Sequence, residues 1–403
     1  MWCKLSYIAY FGGGKTPSTS IKEFWDNGDV LWITSKDVKS KFIDDTQIKL
    51  TEVGTKGMTI YPINTIVMVV RSGILRRTLP ISITSKPSTI NQDLKAIQCF
   101  KLNFTNYLYW VISALECYIL ENYQKDGTTV ESIDFDRFQN ILIPMPPINE
   151  QKRIVDEIYK WLDLITNIET EKIELESYIS QTKSKILDLA IQGKLVPQDP
   201  TDEPAIELLK RINPNFTPCD NSHYENVPFE IPQSWCWTKL GKIGIWQSGS
   251  TPSRTRKDYY GGSIPWLKTG DLNDNYITDI PEFITELALK ETSVKLNPSG
   301  SILIAMYGAT IGKIGILTMP ATTNQACCAC IKHDGIEQKY LFYYLLSHKE
   351  EFIRQGGGGA QPNISKEKII ETLIPIPPLN EQRRIVNAIE TIFSHLDIIT
   401  AEL

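Results

Sequence analysis

The chain has 403 residues, which is longer than one ordinary domain. Of these residues 42% are hydrophobic and 22% are charged, a composition typical of soluble proteins with packed cores. A formal net charge of −5 excludes a general attraction to nucleic acid but does not exclude local basic patches. No apolar run approaches the ~20 residues of a membrane-spanning helix, and the first residues lack a signal-peptide pattern. We therefore expect a cytoplasmic protein without a membrane partner. The eight cysteines are irregularly spaced, which predicts reduced, mostly buried thiols.

The first candidate motif is GGGKTPS, residues 12–18, which follows a strand-like run and ends like the GK[ST] of a phosphate-binding P-loop. The consensus is incomplete, because Ala9 stands where a glycine is required and Pro17 removes a backbone N–H where the helix should begin. The second copy of this region has Ser250 in place of Lys15. We therefore predict a turn with hydroxyl side chains and no ATP site.

The chain contains an internal repeat. The pattern W-x-K-L followed by G-x-T-P-S begins at Trp2 and recurs at Trp237. LWITSKDV then matches PWLKTGDL, IVMVVRSG matches ILIAMYGA, and TINQ matches TTNQ. The strongest match pairs ILIPMPPINEQKRIV, residues 141–155, with TLIPIPPLNEQRRIV, residues 372–386. A unit of this length is too long for a solenoid repeat and predicts two homologous domains.

Each copy begins with short β-branched and aromatic runs, separated by turn residues and a few helical stretches such as residues 106–123. This mixture predicts an α+β domain with a helix packed on a twisted sheet. The prolines of PMPP and PIPP then exclude helix, and Asn149 and Asn380 are the predicted N-caps of the next helices. Glu150 and Glu381 would lie in the first turn, where a negative charge is favourable.

The helix of the first copy has a heptad pattern. One seam position holds Ile158, Ile165, Lys172, Ile179 and Ile186, and the other holds Ile154, Trp161, Ile168, Leu175, Thr182 and Leu189. The pattern predicts a coiled coil along residues 149–192, ~66 Å long and ended by Gly193. In the second copy the register continues through Ile385, Ile389, Ile392 and Leu396. The alternative is that each helix only covers its own domain.

The expected architecture has two like domains at opposite ends of an antiparallel helix pair. The predicted segments are domain one (1–148), a central helix (149–192), a connection (193–234) with a short helix at AIELLKRI, domain two (235–379) and a distal helix (380–403). The distal helix lacks about 20 residues of the first copy and is therefore expected to be shortened.

Other candidate motifs lack support for catalysis or metal binding. The C-x-x-C of residues 327–330 has no second ligand pair for zinc and predicts buried cysteines in a strand. PPIN and PPLN have the wrong order for an adenine-methyltransferase signature, and the four histidines belong to no hydrolytic triad. GGGGA, residues 356–360, and its counterpart at 125–129 predict a loop. We therefore predict no catalytic residue and no metal ligand in this chain.

Basic and aromatic residues in the loops are candidate DNA contacts. They are Lys36, Arg71, Arg76 and Arg77 in the first copy, and Arg254, Arg256, Lys257, Lys268 and Tyr307 in the second. Arginine can bind guanine edges bidentately, while lysine and hydroxyl groups bind phosphate. The framework repeats while these residues differ, as expected if the two domains recognise different base sequences. The alternative is a coiled-coil scaffold that binds proteins and has no DNA specificity.

Along essentially its whole length, the chain resembles the DNA specificity subunits of type I restriction–modification systems. The resemblance rests on the doubled IPxPPxNEQ, on the G-x-T-P-S turns, and on AIQGKLVPQDPTDEPAIELLKRI, residues 190–212. It implies two target recognition domains, each binding one half of an asymmetric split site in double-stranded DNA. It also implies that the helix pair is the spacer between them and that the chain itself is not an enzyme.

The resemblance further implies partners: two adenine-N6 methyltransferase subunits and translocating endonuclease subunits. S-adenosylmethionine, ATP and Mg would be used by those subunits, and no cofactor would be bound by this chain. The residues expected to form the spacer and the partner helices are Ile154, Ile158, Trp161, Ile165, Ile168, Leu175, Ile385, Ile389, Ile392 and Leu396. A shortened distal helix is expected to weaken one methyltransferase contact or to change the half-site spacing.

Overall fold

The computed structural model describes residues 1–125, 130–214, 216, 227–333, 335–357 and 363–403. The chain divides into two compact units, Met1–Glu169 (unit 1) and Thr170–Leu403 (unit 2). Most of the two loops predicted at 125–129 and 356–360 lies outside the described residues. No described helix is both long enough and apolar enough to span a membrane.

Unit 1 begins with strands and ends with a long helix. Its strands are β1 (Trp2–Lys4), β2 (Ala9–Gly13), β3 (Val30–Ile33), β4 (Phe42–Ile43), β5 (Lys49–Leu50), β6 (Ile66–Val69), β7 (Ile81–Thr84), β8 (Ser88–Ile90), β9 (Leu94–Cys99) and β10 (Leu142–Pro144). Its helices are α1 (Thr105–Ala114), α2 (Glu116–Asn122), α3 (Phe135–Phe138) and α4 (Ile148–Ile191), the last of which continues into unit 2. The helical stretch predicted at 106–123 is therefore present, interrupted at Leu115.

A five-stranded mixed sheet of order β2-β9-β6-β7-β4 forms the centre of unit 1. The four residues of β6 are all buried, because both faces of this strand are covered. Ile66 and Met68 pack in a cluster with α1, and Val67 and Val69 pack in a second cluster on the opposite face. A three-stranded sheet of order β5-β3-β8 and the pair β1-β10 complete the unit.

Unit 2 repeats this plan after a short helix. Its strands are β11 (Cys236–Lys239), β12 (Ile245–Ser248), β13 (Tyr260–Leu267), β14 (Asn275–Ile277), β15 (Phe283–Ile284), β16 (Leu296–Asn297), β17 (Ile302–Ala305), β18 (Ile314–Leu317), β19 (Ala321–Thr323), β20 (Cys327–Lys332) and β21 (Leu373–Ile376). Its helices are α5 (Ala205–Ile212), α6 (Leu240–Ile243), α7 (Glu286–Glu291), α8 (Gln338–Ser347), α9 (Lys349–Gln355), α10 (Lys366–Glu371) and α11 (Leu379–Glu402). Helix α5 is the short helix predicted at AIELLKRI.

The sheets confirm the internal repeat. The five-stranded sheet of unit 2 has the order β12-β20-β17-β18-β14, which matches unit 1 strand for strand. The smaller sheet has the order β15-β13-β19-β16, with β16 as an additional edge strand. As predicted, Cys327, Cys328 and Cys330 are buried in a strand, and burial raises the pKa of the Cys328 and Cys330 thiols to about 12.

The two long helices begin one residue earlier than predicted, and the prediction of asparagine N-caps was wrong. Helix α11 starts after Pro378, whose carbonyl accepts the Gln382 amide N–H at 2.9 Å. In α4 the Gln151 amide donates to the carbonyl of Pro147 at 3.0 Å. The prolines can stand there because a residue preceding the first turn needs no N–H, and each glutamine side chain also folds back onto a proline carbonyl.

Helix α4 has 44 residues and ends at Ile191, one residue before the predicted end. Gly193 adopts a φ of +70°, and the amides of Gly193 and Lys194 donate to Ala190 and Leu189, the pattern of a Schellman cap. Within unit 2, the last turns of α4 pack against α11. Lys172 Nζ donates to the Leu403 carbonyl, and Lys183 pairs with Asp397, so the two helices run antiparallel.

The predicted helix seam is paired along only part of α4. Ile179 and Ile186 are buried. Ile186 shares a core with Ile385 and Ile389 of α11, and Ile392 and Leu396 pack against that core. The other nine seam residues predicted on α4 are partly or largely exposed, namely Ile154, Ile158, Trp161, Ile165, Ile168, Lys172, Leu175, Thr182 and Leu189. The sequence predicts that much of the seam packs on a second helix, and among the described residues α11 covers only the C-terminal part of it.

Candidate nucleic-acid interface

The repeated G-x-T-P-S turn is tied to the repeated N-Q by a hydrogen bond. Thr16 Oγ1 donates to Gln92 Oε1 in unit 1, and Thr251 Oγ1 donates to Gln325 Oε1 in unit 2. The turn follows β2 or β12, and the glutamine follows β8 or β19. The threonine and the glutamine that the two copies share are therefore hydrogen-bonded to each other in both units, and we call this arrangement the framework.

A tryptophan completes this framework in both units. Trp32 Nε1 donates to the Lys15 carbonyl at 3.1 Å, and Trp266 Nε1 donates to the Ser250 carbonyl at 3.1 Å. Lys15 and Ser250 occupy the variable position of the turn, and only their backbone takes part. The equal geometry explains why the side chain at this position differs between the copies.

Glycine is required at the start of each turn by close backbone contact. A Cβ on Gly14 would lie 1.9 Å from the Ile90 carbonyl oxygen, and one on Gly249 would lie 2.2 Å from that of Asn324. No α-helix follows the turn of unit 1 directly, since the next helical residues form a 3₁₀ turn at Lys22–Phe24. A phosphate-binding loop needs a helix N-terminus at this point, so the turn lacks P-loop geometry.

The repeated aspartate shapes the loop that follows the tryptophan strand. Asp37 Oδ2 accepts the Thr34 amide N–H at 2.8 Å, and Asp271 Oδ2 accepts the Lys268 amide N–H at 2.8 Å. Both carboxylates therefore bind the backbone of their own turn, and Asp37 Oδ1 also accepts the Gln47 amide N–H at 3.1 Å. The candidate Lys36 lies on this loop in unit 1, and its side chain is exposed.

The basic candidates of unit 1 differ in their charge environment. Arg71, Arg76 and Arg77 are exposed and lie in or beside the 3₁₀ turn after β6. Arg76 Nε donates to Glu131 Oε1 at 3.0 Å. Within the described part of the chain, Arg71 and Arg77 are not paired with a carboxylate. Among the predicted DNA contacts of unit 1, these two and Lys36 are the ones without an ion pair to a described carboxylate.

Tyr307 occupies in unit 2 the position that Arg71 occupies in unit 1. Each residue forms an isolated bridge directly after the matching strand, Arg71 with Ser132 and Tyr307 with Asn363. Tyr307 is 43% exposed. The same backbone position therefore presents a guanidinium in one unit and a phenol in the other.

Three basic candidates of unit 2 are held by acidic neighbours. Arg254 and Lys268 both pair with Glu282, and these cations lower the pKa of Glu282 to about 2. The Arg254 guanidinium also lies 4.5 Å from the ring centroid of Tyr260. Hydrogen bonding between Arg254 and Glu282 thus restrains a side chain that sequence reasoning treated as free.

Arg256 is restrained in the same way. Its guanidinium donates to both carboxylate oxygens of Asp258, at 2.8 and 2.6 Å, and lies 3.4 Å from Glu291. The hydrogen bond to Asp258 raises the pKa of Arg256 above its usual value. The neighbouring Lys257 is exposed and is not paired with any described carboxylate.

The framework residues of both units lie within matches to one family model. The family model described as the type I restriction modification DNA specificity domain matches residues 3–177 and again residues 232–403. The chain belongs to this family. Both matches include the complete set of framework residues of their unit, so the two specificity domains coincide with the two copies of the internal repeat.

Curated members of this family are similar to the chain over part of its length. The Escherichia coli type I restriction enzyme EcoR124I/EcoR124II specificity subunit is 37% identical over 182 residues, which is 45% of this chain and 45% of that protein. In this and two further curated relatives, the matched stretch covers between 39% and 53% of the relative's length. The chain therefore aligns with about half the length of the curated relatives it matches.

Solved structures of type I systems share the fold. The HsdS subunit from Thermoanaerobacter tengcongensis matches with a TM-score of 0.59 at 16% identity, covering 100% of this chain and 91% of that one. A chain from a structure titled as the basis of complex assembly and conformational transition of the type I R-M system matches with a TM-score of 0.62 at 17% identity, covering 100% and 92%. At these identities the likeness concerns the fold alone.

One cluster in this specificity-family member was not found by sequence reasoning. In unit 1, Lys41 Nζ donates to the Tyr159 hydroxyl and lies 4.1 Å from the Tyr159 ring centroid and 4.7 Å from that of Trp110. Burial lowers the pKa of Lys41 to about 8. The cluster connects α4, through Tyr159, to Lys41, which directly precedes β4 of the sheet. Lys41 and Tyr159 lie 118 positions apart, so no local pattern could connect them.

The acidic partners of the arginines were also missed. Glu131, Asp258 and Glu282 neutralise Arg76, Arg256 and Arg254. Asp258 is close in sequence to its partner, and an alternating charge pattern was the available signal. Glu282 lies 28 positions from Arg254, and only the pairing of β13 with β15 brings that region together.

Proposed function

We propose that this chain is the non-catalytic subunit that recognises DNA for a type I restriction–modification complex. Each unit would bind one half of a bipartite, asymmetric site in double-stranded DNA. Two adenine-N6 methyltransferase subunits would then methylate the site, and translocating endonuclease subunits would restrict DNA that lacks the methylation. S-adenosylmethionine, ATP and Mg would be bound by those subunits, in the cytoplasm.

The observation that carries this proposal is the combination of a fixed framework with variable side chains. The hydrogen bonds from Thr16 to Gln92 and from Thr251 to Gln325 are the same in both units. The position after the matching strand holds Arg71 in one unit and Tyr307 in the other. Arginine binds guanine edges bidentately, whereas tyrosine offers one hydroxyl and a stacking face, so the two units would prefer different bases.

Available positive charge supports the same proposal. Lys36, Arg71 and Arg77 in unit 1 and Lys257 in unit 2 are exposed and have no carboxylate partner among the described residues. Such cations bind phosphate oxygens and fix the register of the protein on the duplex without selecting bases. Helix α4, which continues from one unit into the other, is the element that we propose as the spacer between the half-sites.

Methylation-sensitive sequencing of a host that expresses this chain with its methyltransferase partner tests the proposal. We expect one methylated motif with two specified half-sites separated by a fixed gap. Arg71→Ala should relax base preference in one half-site and Tyr307→Ala in the other, because each position belongs to a different unit. Arg76→Ala, whose side chain is already paired with Glu131, is the matched control. A motif without two halves, or one that both variants change in the same half, contradicts the proposal.

A further inference from the structure

The framework glutamine presents its amide group at the surface of each unit. Gln92 and Gln325 are both exposed. In each of them Oε1 accepts the hydrogen bond of the turn threonine, and no group among the described residues accepts a hydrogen bond from Nε2. Because this bond fixes which side of the planar amide faces the turn, the two N–H groups are directed away from it. Each unit therefore holds two hydrogen-bond donors in a fixed orientation at its surface.

In unit 1 the glutamine lies between two basic residues. The carbonyl of Asp93, the residue after Gln92, accepts the Arg71 amide N–H at 3.2 Å. On the other side, the Lys15 amide donates to the Ile90 carbonyl at 3.1 Å. The side chains of Lys15 and Arg71 are both exposed. Gln92 thus belongs to the same edge of the sheet as two cations.

Unit 2 has the same backbone arrangement with different neighbours. The Ser250 amide donates to the carbonyl of the residue two positions before Gln325, at 2.9 Å. The carbonyl of the residue after Gln325 accepts the amide of Met306, which directly precedes Tyr307, at 2.7 Å. A serine and a tyrosine therefore stand where unit 1 has a lysine and an arginine. The glutamine is shared by the two units, whereas both of its neighbours differ.

We propose, on the basis of the proposed DNA recognition, that Gln92 and Gln325 each donate an N–H to a phosphate oxygen of the DNA backbone, one in each half-site. Phosphate oxygens only accept hydrogen bonds, and they are the same in every base sequence. An identical side chain in two units that prefer different bases suits a group that does not vary. Glutamine binds an adenine edge through both its oxygen and its nitrogen, and here the threonine already occupies the oxygen.

Duplexes in which single phosphates are replaced by neutral methylphosphonates test this inference. The full chain is titrated with them in the presence of its methyltransferase partner. We expect Gln92→Ala to weaken binding about tenfold, the effect of losing a hydrogen bond to a charged group. At one position of the first half-site, the methylphosphonate should weaken binding of the unchanged chain about tenfold more than binding of the Gln92→Ala chain. Gln325→Ala should show the same coupling at a phosphate of the other half-site.

Two conservative variants separate a DNA contact from a purely structural role. Gln92→Glu keeps the oxygen that accepts the threonine bond, but it removes the N–H donors and places a negative charge near the phosphate. It should therefore bind DNA more weakly than Gln92→Ala does. If the glutamine only stabilised the turn, Gln92→Glu would bind like the unchanged chain. Thr16→Val, which no longer fixes the amide, should retain the coupling at the same phosphate with a smaller magnitude.

Gln139→Ala is the matched control. The Gln139 carbonyl accepts the Ser6 amide at 2.9 Å, before β2 begins, whereas Gln92 binds the turn after β2 ends. This variant should bind every duplex like the unchanged chain, and circular dichroism and melting temperatures establish that all variants are folded.

The possible outcomes separate this inference from the proposed function. Absence of coupling at every phosphate, or a relaxed base preference of Gln92→Ala in methylation-sensitive sequencing, contradicts the phosphate contact. A bipartite base preference without coupling would leave the proposed function standing and overturn the inference. Coupling on duplexes that the chain binds without base preference would do the reverse.

Discussion

At the scale of single residues, exposure and availability are different properties. Arg254 and Arg256 have exposed side chains, yet Glu282 and Asp258 hold their guanidinium groups. An arginine that is paired with a carboxylate contributes less binding free energy on contact with a phosphate than an arginine that faces only water. The reason is that the ion pair must be broken, and its loss offsets the new contact. The two arginines retain a geometric role, since both stack on tyrosine rings and shape the loop.

The neighbours Arg76 and Arg77 allow this difference to be measured. Arg77→Ala should reduce the slope of log K against log salt for duplex DNA by about 0.9, the value of one lost phosphate contact. Arg76→Ala should change the slope less, because Arg76 is paired with Glu131 at 3.0 Å. Filter-binding titrations across a salt series, with the methyltransferase partner present, give both slopes. Equal slopes for the two variants would show that the Glu131 pair does not limit Arg76.

At the scale of elements, the repeated turn is held by the same contacts in both units. The residues shared by the two turns have identifiable physical roles. The glycine allows a close contact with a backbone carbonyl, the threonine donates a hydrogen bond to a glutamine, and a backbone carbonyl of the turn accepts the tryptophan indole N–H. Side chains at the variable position can differ because the tryptophan indole binds only the backbone carbonyl there. The turn thus separates the residues that build the domain from those that are available to a ligand.

Replacing Gly14 tests this role. A methyl group there would lie 1.9 Å from the Ile90 carbonyl oxygen, a backbone atom that cannot move aside without displacing β8. We expect Gly14→Ala to lower the free energy of unfolding of unit 1 by about 2–3 kcal/mol. Gly73→Ala is the control, because a Cβ there meets no atom within 4 Å. Urea denaturation of both variants decides: similar midpoints for the two would contradict the close-contact argument.

At the scale of the whole molecule, α4 belongs to both units, but its side chains are not packed equally along its length. Its last turns contribute Ile186, Leu187 and Ile191 to the core of unit 2. Its stretch from Trp161 to Tyr178 exposes several large apolar side chains. Since most helical stability in proteins comes from packing, backbone hydrogen bonds along this stretch should open more readily than those near its end.

Hydrogen–deuterium exchange of the full chain measures this difference. Amides of residues 162–176 should exchange at least about tenfold faster than those of residues 183–191. Residues 385–392 of α11, which are packed against the same core, are the internal reference for protected helix. Equal protection along α4 would show that another chain covers the exposed stretch in solution, and dilution of the sample would then restore fast exchange.

The sequence by itself determined the repeat, the α+β class, the short helix α5, and the end of α4 at Gly193. These features depend on local signals: proline and glycine act within a turn of their own position, and homologous copies preserve the residues that build each framework. The tertiary structure alone decided which arginines are paired, which half of the seam is covered, and that Trp2 is exposed while Trp237 is buried. The pairing of Arg254 with Glu282 and the packing of α4 on α11 depend on residues far apart in the chain, so no local pattern encodes them.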